Sequence, residues 1–201
     1  MSYASLAELK SAIGIGTADT TDDTALQSVL DATDALIDLY TDRRQGFGTA
    51  TETRFYTAGD WSYVLTDDIV SVSQLQTDDN GDGTYETTWT ANTDFKLAPV
   101  NASLDGFPFT EIDTSTAAPK AFPVGVYIGV KVTGVFGFPS VPNAVKQAAI
   151  IQANAVWSSR SSAFGVIGSV ELGGILRQAR ALHPEAQVLL DGFRKRDGLA
   201  R

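Results

Sequence analysis

The residues between Asp78 and Gly83 have the types and spacing that could bind a metal ion. Asp78, Asn80 and Asp82 alternate with other residues and are followed by Gly83, which matches the first six positions of a calcium loop. Such alternation brings oxygen ligands onto one hard cation. The match ends at the twelfth position, where Trp89 stands in place of a bidentate glutamate. The Asn-Gly and Asp-Gly dipeptides also favour a turn between two strand patterns, so we interpret the loop as a β-hairpin turn with weak metal candidates.

The rest of the chain offers little material for catalysis. It has 201 residues, no cysteine and a single histidine, His183, so thiolate sites, cysteine nucleophiles and multi-histidine metal centres are excluded. His183 precedes Pro184 at the start of a helical pattern, where a surface or capping role is expected. Acidic residues are abundant, but nothing singles out a catalytic pair. The residues therefore predict no enzyme and no cofactor.

Four aromatic residues in the middle of the chain could stack on sugars or bases. They are Trp61, Trp89, Phe107 and Phe109. Few basic residues lie near them, which disfavours nucleic-acid binding there, and core or interface positions are expected instead. Together with the acidic loop, they keep open an alternative function as a calcium-assisted carbohydrate- or surface-binding β module.

The charge is negative overall and unevenly distributed. The net charge is −9; residues 1–120 carry 6 Lys+Arg against 20 Asp+Glu, and residues 121–201 carry 9 against 4. Such asymmetry suggests complementary contacts or a surface that repels nucleic acid. Four aspartates share one sector of the second helix, opposite its apolar face: Asp31, Asp34, Asp38 and Asp42. This stripe is either a solvated face or a surface that meets a polyanion or a basic partner.

Apolar periodicity and capping signals predict four helices, over residues 5–13, 23–43, 141–162 and 184–196. Ser5 and Glu8 form a capping box at the first, and Pro142 suits the first turn of the third. The third helix is apolar nearly all round, which indicates burial on more than one side, in the core or at a subunit interface. Its broad apolar face contains Val145, Ala148, Ala149, Ala153, Val156 and Trp157.

Between the helix pairs, alternation and Thr, Val, Tyr and Phe enrichment predict strands. These cover residues 52–58, 61–66, 69–77, 84–90, 93–97, 107–112 and 124–135. The resulting fold class is α+β, a helical bundle of two N-terminal and two C-terminal helices with a β-rich insert over 51–136. We expect one domain over 1–201, with a helix pair over 1–46 and a flexible, glycine-rich arm over 163–180. Neither a membrane-spanning run nor a signal peptide is apparent, so we expect synthesis and use in the cytoplasm.

In the order of its features the chain resembles the head–tail connector proteins of tailed bacteriophages, also called head-to-tail adaptors or head completion proteins. The likeness rests on four stretches that together span most of the chain. They are SLAELKSAIGI with DDTALQSVLDATDALIDLYTDR, WTANTDFKLAPVNASLDGFPF, VKVTGVFGFPSVPNAVKQAAIIQANAVWSSR and HPEAQVLLDGFRKR.

The resemblance implies a non-enzymatic structural protein of the virion neck, assembled in the host bacterial cytoplasm. It implies a ring, typically twelve-fold, that binds the portal protein, extends the channel for double-stranded DNA and receives a stopper or tail-completion protein. The resemblance implies no membrane partner. Portal docking is then expected at Leu189, Leu190, Phe193, Arg194, Lys195 and Arg196. Subunit contacts are expected at Ile150, Ile151, Ala155 and Trp157, and Asp31, Asp34, Asp38 and Asp42 are the lumen candidates.

Overall fold

The computed structural model describes residues 2–43, 45–116, 120–160, 166–169, 174–177 and 182–195. The chain divides into two compact units. Unit 1 contains Met1–Gly46 and Val141–Lys195, and unit 2 contains Phe47–Ser140. The described residues form both helices and an antiparallel sheet, which confirms the α+β class. That the two units act as a single adaptor domain stays a prediction.

Unit 1 contains the four α-helices of the described part of the chain. They are α1 (Leu6–Ile13), α2 (Asp23–Thr41), α3 (Asn143–Ser159) and α4 (Pro184–Leu190), and a 3₁₀ turn, Asp191–Phe193, follows α4. Helices α1, α2 and α4 all pack against α3. None of the helices in the described residues is long and apolar enough to cross a membrane.

The capping box predicted for α1 is present. Glu8 N donates to Ser5 Oγ at 3.2 Å, and Ser5 N donates to Glu8 Oε2 at 2.7 Å. The bond from Ser5 N, with Lys146 Nζ at 3.0 Å from the other carboxylate oxygen, lowers the pKa of Glu8 to about 2. Gly14 ends the helix with a φ of 77°, a left-handed conformation that glycine adopts without strain.

The C-terminal segment departs from the predicted bounds. Helix α4 ends at Leu190 rather than near residue 196, and the chain tightens into the 3₁₀ turn over Asp191-Gly192-Phe193. Glycine within a helix is unfavourable by about 1 kcal/mol relative to alanine, which favours an early end. The predicted arm over 163–180 lies largely outside the described residues. Within it, β7 (Val166–Ser169) and β8 (Gly174–Arg177) pair with each other antiparallel.

Unit 2 is a six-stranded antiparallel sheet in the order β1-β6-β2-β5-β4, with β3 paired to β2. Its strands are β1 (Thr49–Tyr56), β2 (Tyr63–Thr77), β3 (Thr87–Trp89), β4 (Phe95–Ala98), β5 (Phe109–Thr114) and β6 (Val130–Gly137). The buried core lies on one face of this sheet and includes Ile69, Leu75, Ile112, Val132 and Phe136.

The two strands predicted over 61–66 and 69–77 are one long strand, β2. The polar residues Thr66, Asp67 and Asp68 predict a break, but the chain continues through them. The pairing registers of β2 shift between Leu65 and Ile69 against β5, and again against β6. Such bulges absorb an irregular segment without ending the strand.

The strand predicted over 124–135 is wrong in its first half. Residues 124–129 form turns, and β6 begins only at Val130. Val124 and Ile128 are exposed, whereas Val130 and Val132 are buried, so the valine alternation does not mark one face. Gly125 has a φ of 83° and Ile128 a φ of 50°, conformations that an extended strand does not contain.

Gly137 is expected to tolerate no side chain. Its φ is 110°, and a Cβ atom there would lie 1.8 Å from the carbonyl oxygen of Gly48 on the neighbouring chain segment. We expect Gly137→Ala to lower the free energy of unfolding by roughly 3 kcal/mol or more, measured by urea denaturation. Gly125→Ala is the control, because its Cβ would meet nothing within 4 Å. It should cost only the roughly 1–2 kcal/mol of a left-handed alanine. If both variants lose the same free energy of unfolding, the left-handed backbone conformation, and not the steric clash, accounts for the cost at position 137.

Candidate functional site

The acidic loop between β2 and β3 is the hairpin turn that the sequence predicts. Asp78 is buried and accepts hydrogen bonds from Gly81 N at 2.7 Å and Gly83 N at 2.8 Å. Asp82 N donates to Asn80 Oδ1 at 2.9 Å. The carboxylate of Asp78 therefore replaces the backbone acceptors that a tight turn lacks.

Glu86 joins this loop and was missed by the sequence analysis. One carboxylate oxygen each of Asp78, Asp82 and Glu86 lie within 4.8 Å of one another, a spacing compatible with a hard cation. Asn80 Nδ2 donates to Glu86 Oε1 at 2.8 Å. Glu86 stands at the ninth position of the calcium-loop pattern, and attention to that position could have found it. Trp89, at the twelfth, is buried.

The aspartates of α2 do not share one exposed face. Asp31 and Asp42 are exposed, but Asp34 is buried and Asp38 is half-buried. Tyr3 N donates to Asp34 Oδ2 at 3.3 Å, and the Tyr3 hydroxyl donates to Asp38. The stripe prediction fails because the N-terminal residues fold over this side of the helix.

The burial of these two carboxyl groups changes their protonation. Burial raises the pKa of Asp34 to about 6, although the bond from Tyr3 N opposes the shift. Burial also raises the pKa of Asp38, against the hydrogen bond from the Tyr3 hydroxyl. Since both groups are uncharged more readily than exposed aspartates, they are less suited than Asp31 and Asp42 to present negative charge.

The subunit-contact candidates on α3 differ in exposure. Ile150, Ile151 and Ala155 are half-buried and thus reach the surface of unit 1. Trp157 is buried, with the Arg160 guanidinium 3.2 Å from its ring centroid. The tryptophan therefore serves the core of unit 1, while the other three keep part of their surface exposed to solvent.

The portal-docking candidates are likewise divided. Leu190 is fully buried and cannot dock, because it packs in the interior of unit 1. Leu189 and Phe193 are half-buried and Arg194 is exposed, with its guanidinium 5.2 Å from the Tyr40 ring centroid. Lys195 N donates to the Thr41 carbonyl at 3.0 Å, which ties this segment to the end of α2. Arg196 lies outside the described residues.

The four aromatic residues do not form a common stacking surface. Trp89 is buried and stacks on Phe122 with ring centroids 4.6 Å apart, and Phe107 packs edge-on against Phe138. Phe109 is half-buried, and Trp61 is exposed. The core position expected for this group is therefore found for Trp89, whereas Trp61 and Phe107 are exposed.

Two further titratable features lack catalytic geometry. His183 caps α4 by accepting a bond from Glu185 N at 3.4 Å, the capping role predicted for it. Glu111 and Asp113 are two residues apart on β5; burial and the neighbouring Asp113 raise the pKa of Glu111. These two carboxyl groups interact directly, whereas glycosidases hold theirs about 5–9 Å apart around a substrate.

Comparisons with known proteins identify structural neighbours only. No protein-family model and no curated protein sequence matches the chain. A chain in the solved structure "Neck of empty GTA particle computed with C6 symmetry" shares 19% sequence identity with a TM-score of 0.54, covering 96% of this chain and 90% of the other. A chain in "Virion of native gene transfer agent (GTA) particle" shares 20% identity with a TM-score of 0.51, again covering 96% and 90%. At this identity the likeness establishes a shared fold.

We expect Asp34 to make the protein less stable as the pH rises through 6. Its pKa is raised from 3.8 to about 6 on folding. The carboxyl group therefore contributes fully to the free energy of unfolding below pH 3.8, and this contribution is lost as the pH rises through 6. Asp34→Asn keeps an acceptor for Tyr3 N and should remove this part of the pH dependence. Thermal unfolding across this range measures it, with Asp31→Asn as the exposed control on the same helix. If Asp34→Asn retains the wild-type pH profile, the carboxyl group is not its source.

Proposed function

We propose that this chain is a head-to-tail adaptor, a structural protein of the virion neck that forms a ring beneath the portal. The observation that carries the proposal is fold likeness over 96% of the chain to structures from neck-containing particles. In this interpretation unit 1 is the helical bundle of the adaptor and unit 2 is its β-rich insert. The ring would be assembled in the host bacterial cytoplasm and would receive a stopper or tail-completion protein on its other side.

A ring needs heterologous contacts, in which different surfaces of one chain meet in successive copies. Helix α3 supports such a contact because Ile150, Ile151 and Ala155 remain half-exposed after the core of unit 1 is formed. A twelve-subunit ring is compatible with the C6 symmetry of the neck to which one structural neighbour belongs.

The charge of the chain suits the passage of DNA. With a net charge of −9, the surface repels phosphates, and a channel that repels DNA does not retain it. Asp31 on α2 and Asp42 at its C-cap are the exposed members of the predicted group, so they are the remaining lumen candidates. The same repulsion makes sequence-specific DNA binding an unsuitable function.

The surface that would dock on the portal is the end of α4 with the 3₁₀ turn. Leu189 and Phe193 offer apolar area, and Arg194 and Lys195 offer positive charge. An apolar contact bordered by cations fits an acidic protein surface.

Electron microscopy of negatively stained protein, alone and mixed with a portal ring from the same genome, tests the proposal. We expect rings of the protein or added density beneath the portal. Arg194→Glu should abolish the added density by reversing charge at the docking surface, whereas Lys96→Glu makes the same change at an exposed site in unit 2 and should not. Persistent monomers that never bind the portal would contradict the adaptor function.

A calcium-binding surface module is the second candidate, favoured by the carboxylates of Asp78, Asp82 and Glu86. The burial of Trp89 removes one of the two tryptophans proposed for sugar stacking. The acidic loop is therefore the single remaining observation that favours a calcium-binding module.

Thermal unfolding with and without calcium tests the second candidate. A specific site at 100 times its dissociation constant stabilises a fold by about 2.7 kcal/mol. Under this hypothesis Glu86→Gln should abolish the rise in melting temperature, and Asp105→Asn, in another exposed loop, should leave it intact. An unchanged melting temperature in millimolar calcium rejects the site.

A further inference from the structure

Unit 2 exposes a cluster of large side chains next to the acidic loop. Tyr127 is 81% exposed, Phe55 48% and Ile128 42%. The Phe55 and Tyr85 ring centroids lie 5.8 Å apart, and the Tyr85 hydroxyl donates to the Ile128 carbonyl at 2.8 Å. We call these four residues the aromatic patch. Large apolar side chains are rarely exposed together unless they meet a partner.

The backbone of the patch is held in an unusual conformation. Ile128 has a φ of 50°, a region that β-branched residues rarely adopt and that costs on the order of 1–3 kcal/mol. The strain is maintained by the bond from the Tyr85 hydroxyl and by Ile128 N, which donates to Thr57 Oγ1 at 2.9 Å. The consequence is that Tyr127 and Ile128 project from the turn instead of continuing into β6.

Negative charge predominates around the aromatic patch, although Lys131 Nζ lies 5.5 Å from the Tyr85 ring centroid. Asp82 and Glu86 are exposed on the loop that contains Tyr85, and residues 47–140 carry 4 Lys+Arg against 12 Asp+Glu, a net charge of −8. Such a border repels nucleic acid and favours a protein surface with cations around an apolar centre.

The second half of α3 offers that chemistry on the same chain. Between Asn143 and Arg160 the only charged residues are Lys146 and Arg160, both cations. Val156 is 40% exposed, and the side chain of Arg160, one helical turn further on, is about half exposed. The Arg160–Asp22 pair, at 3.6 Å, is an exposed ion pair of little strength. Arg160 can therefore exchange this partner for a carboxylate of another chain.

We propose that the aromatic patch of one copy docks on the second half of α3 of a second copy, with Asp82 and Glu86 facing Arg160. Because the two surfaces are unlike, the contact is heterologous and repeats from copy to copy, as a ring requires. The inference rests on the proposed adaptor function and names the surfaces that would join its subunits. Aromatic anchors such as Tyr127 commonly dominate contacts of this kind.

Disulfide trapping tests the contact directly, because the chain has no cysteine of its own. Tyr127→Cys protein is mixed with Val156→Cys protein under mild oxidation with EDTA present, so that only a contact between chains can form the mixed dimer. We expect this pair to form it in several-fold higher yield than Leu104→Cys with Val156→Cys. Leu104 is a suitable control since it is 83% exposed elsewhere in unit 2. A yield no higher than the control overturns the inference.

Charge exchange provides the second arm. Adding Asp82→Lys and Glu86→Lys to the Tyr127→Cys chain should lower the yield several-fold, and adding Arg160→Glu to the Val156→Cys chain should do the same. Combining the two altered chains should restore it, while each variant melts like its parent. Failure of the combination to restore the yield also overturns the inference. Electron micrographs of the same samples test the adaptor function separately. If rings form but the disulfide does not, the proposed contact is wrong and the adaptor function is unaffected.

Discussion

The close approach of three helices to α3 is the constraint on which unit 1 depends. Ala148, Ala149 and Ala153 are fully buried, and their small side chains allow the neighbouring helices to pack near the α3 backbone. Gln152 lies on the same side and accepts a hydrogen bond from His183 N at 2.7 Å, which fixes where α4 begins. A larger residue at any of the three alanines would separate the helices or force them out of register.

Unit 2 depends in a similar way on close backbone contact within its sheet. Strand β2 pairs with β3, β5 and β6, and its bulges need room on the neighbouring strand. Gly134 provides that room, because a Cβ atom there would lie 2.2 Å from the Ser71 carbonyl oxygen. The glycines of VKVTGVFG therefore permit a bulged central strand.

The acidic residues that dominate the composition have different physical roles. Asp78 accepts backbone hydrogen bonds inside a turn, Asp34 is buried against Tyr3 with a raised pKa, and Asp31 is solvated. Only the third kind presents its carboxylate to solvent. An adaptor that lets DNA pass would rely on these solvated carboxylates, which are fewer than the acidic residues in the sequence.

Local signals in the sequence were enough to determine the capping box at Ser5, the four helices, the hairpin turn at Asp78 and the cap at His183, because each depends on residues within a few positions. The tertiary structure alone decided which of these residues face solvent. Leu190 and Asp34 are buried, and Glu86 joins Asp78, because segments distant in the sequence or folded back on themselves pack there. The turn over 124–129 was decided in the same way: its valines alternate as in a strand, but hydrogen bonds from Tyr85 and to Thr57 hold the chain out of the sheet. Burial and strand pairing depend on contacts between elements. Local patterns in a single sequence predict the elements but not which of them come into contact.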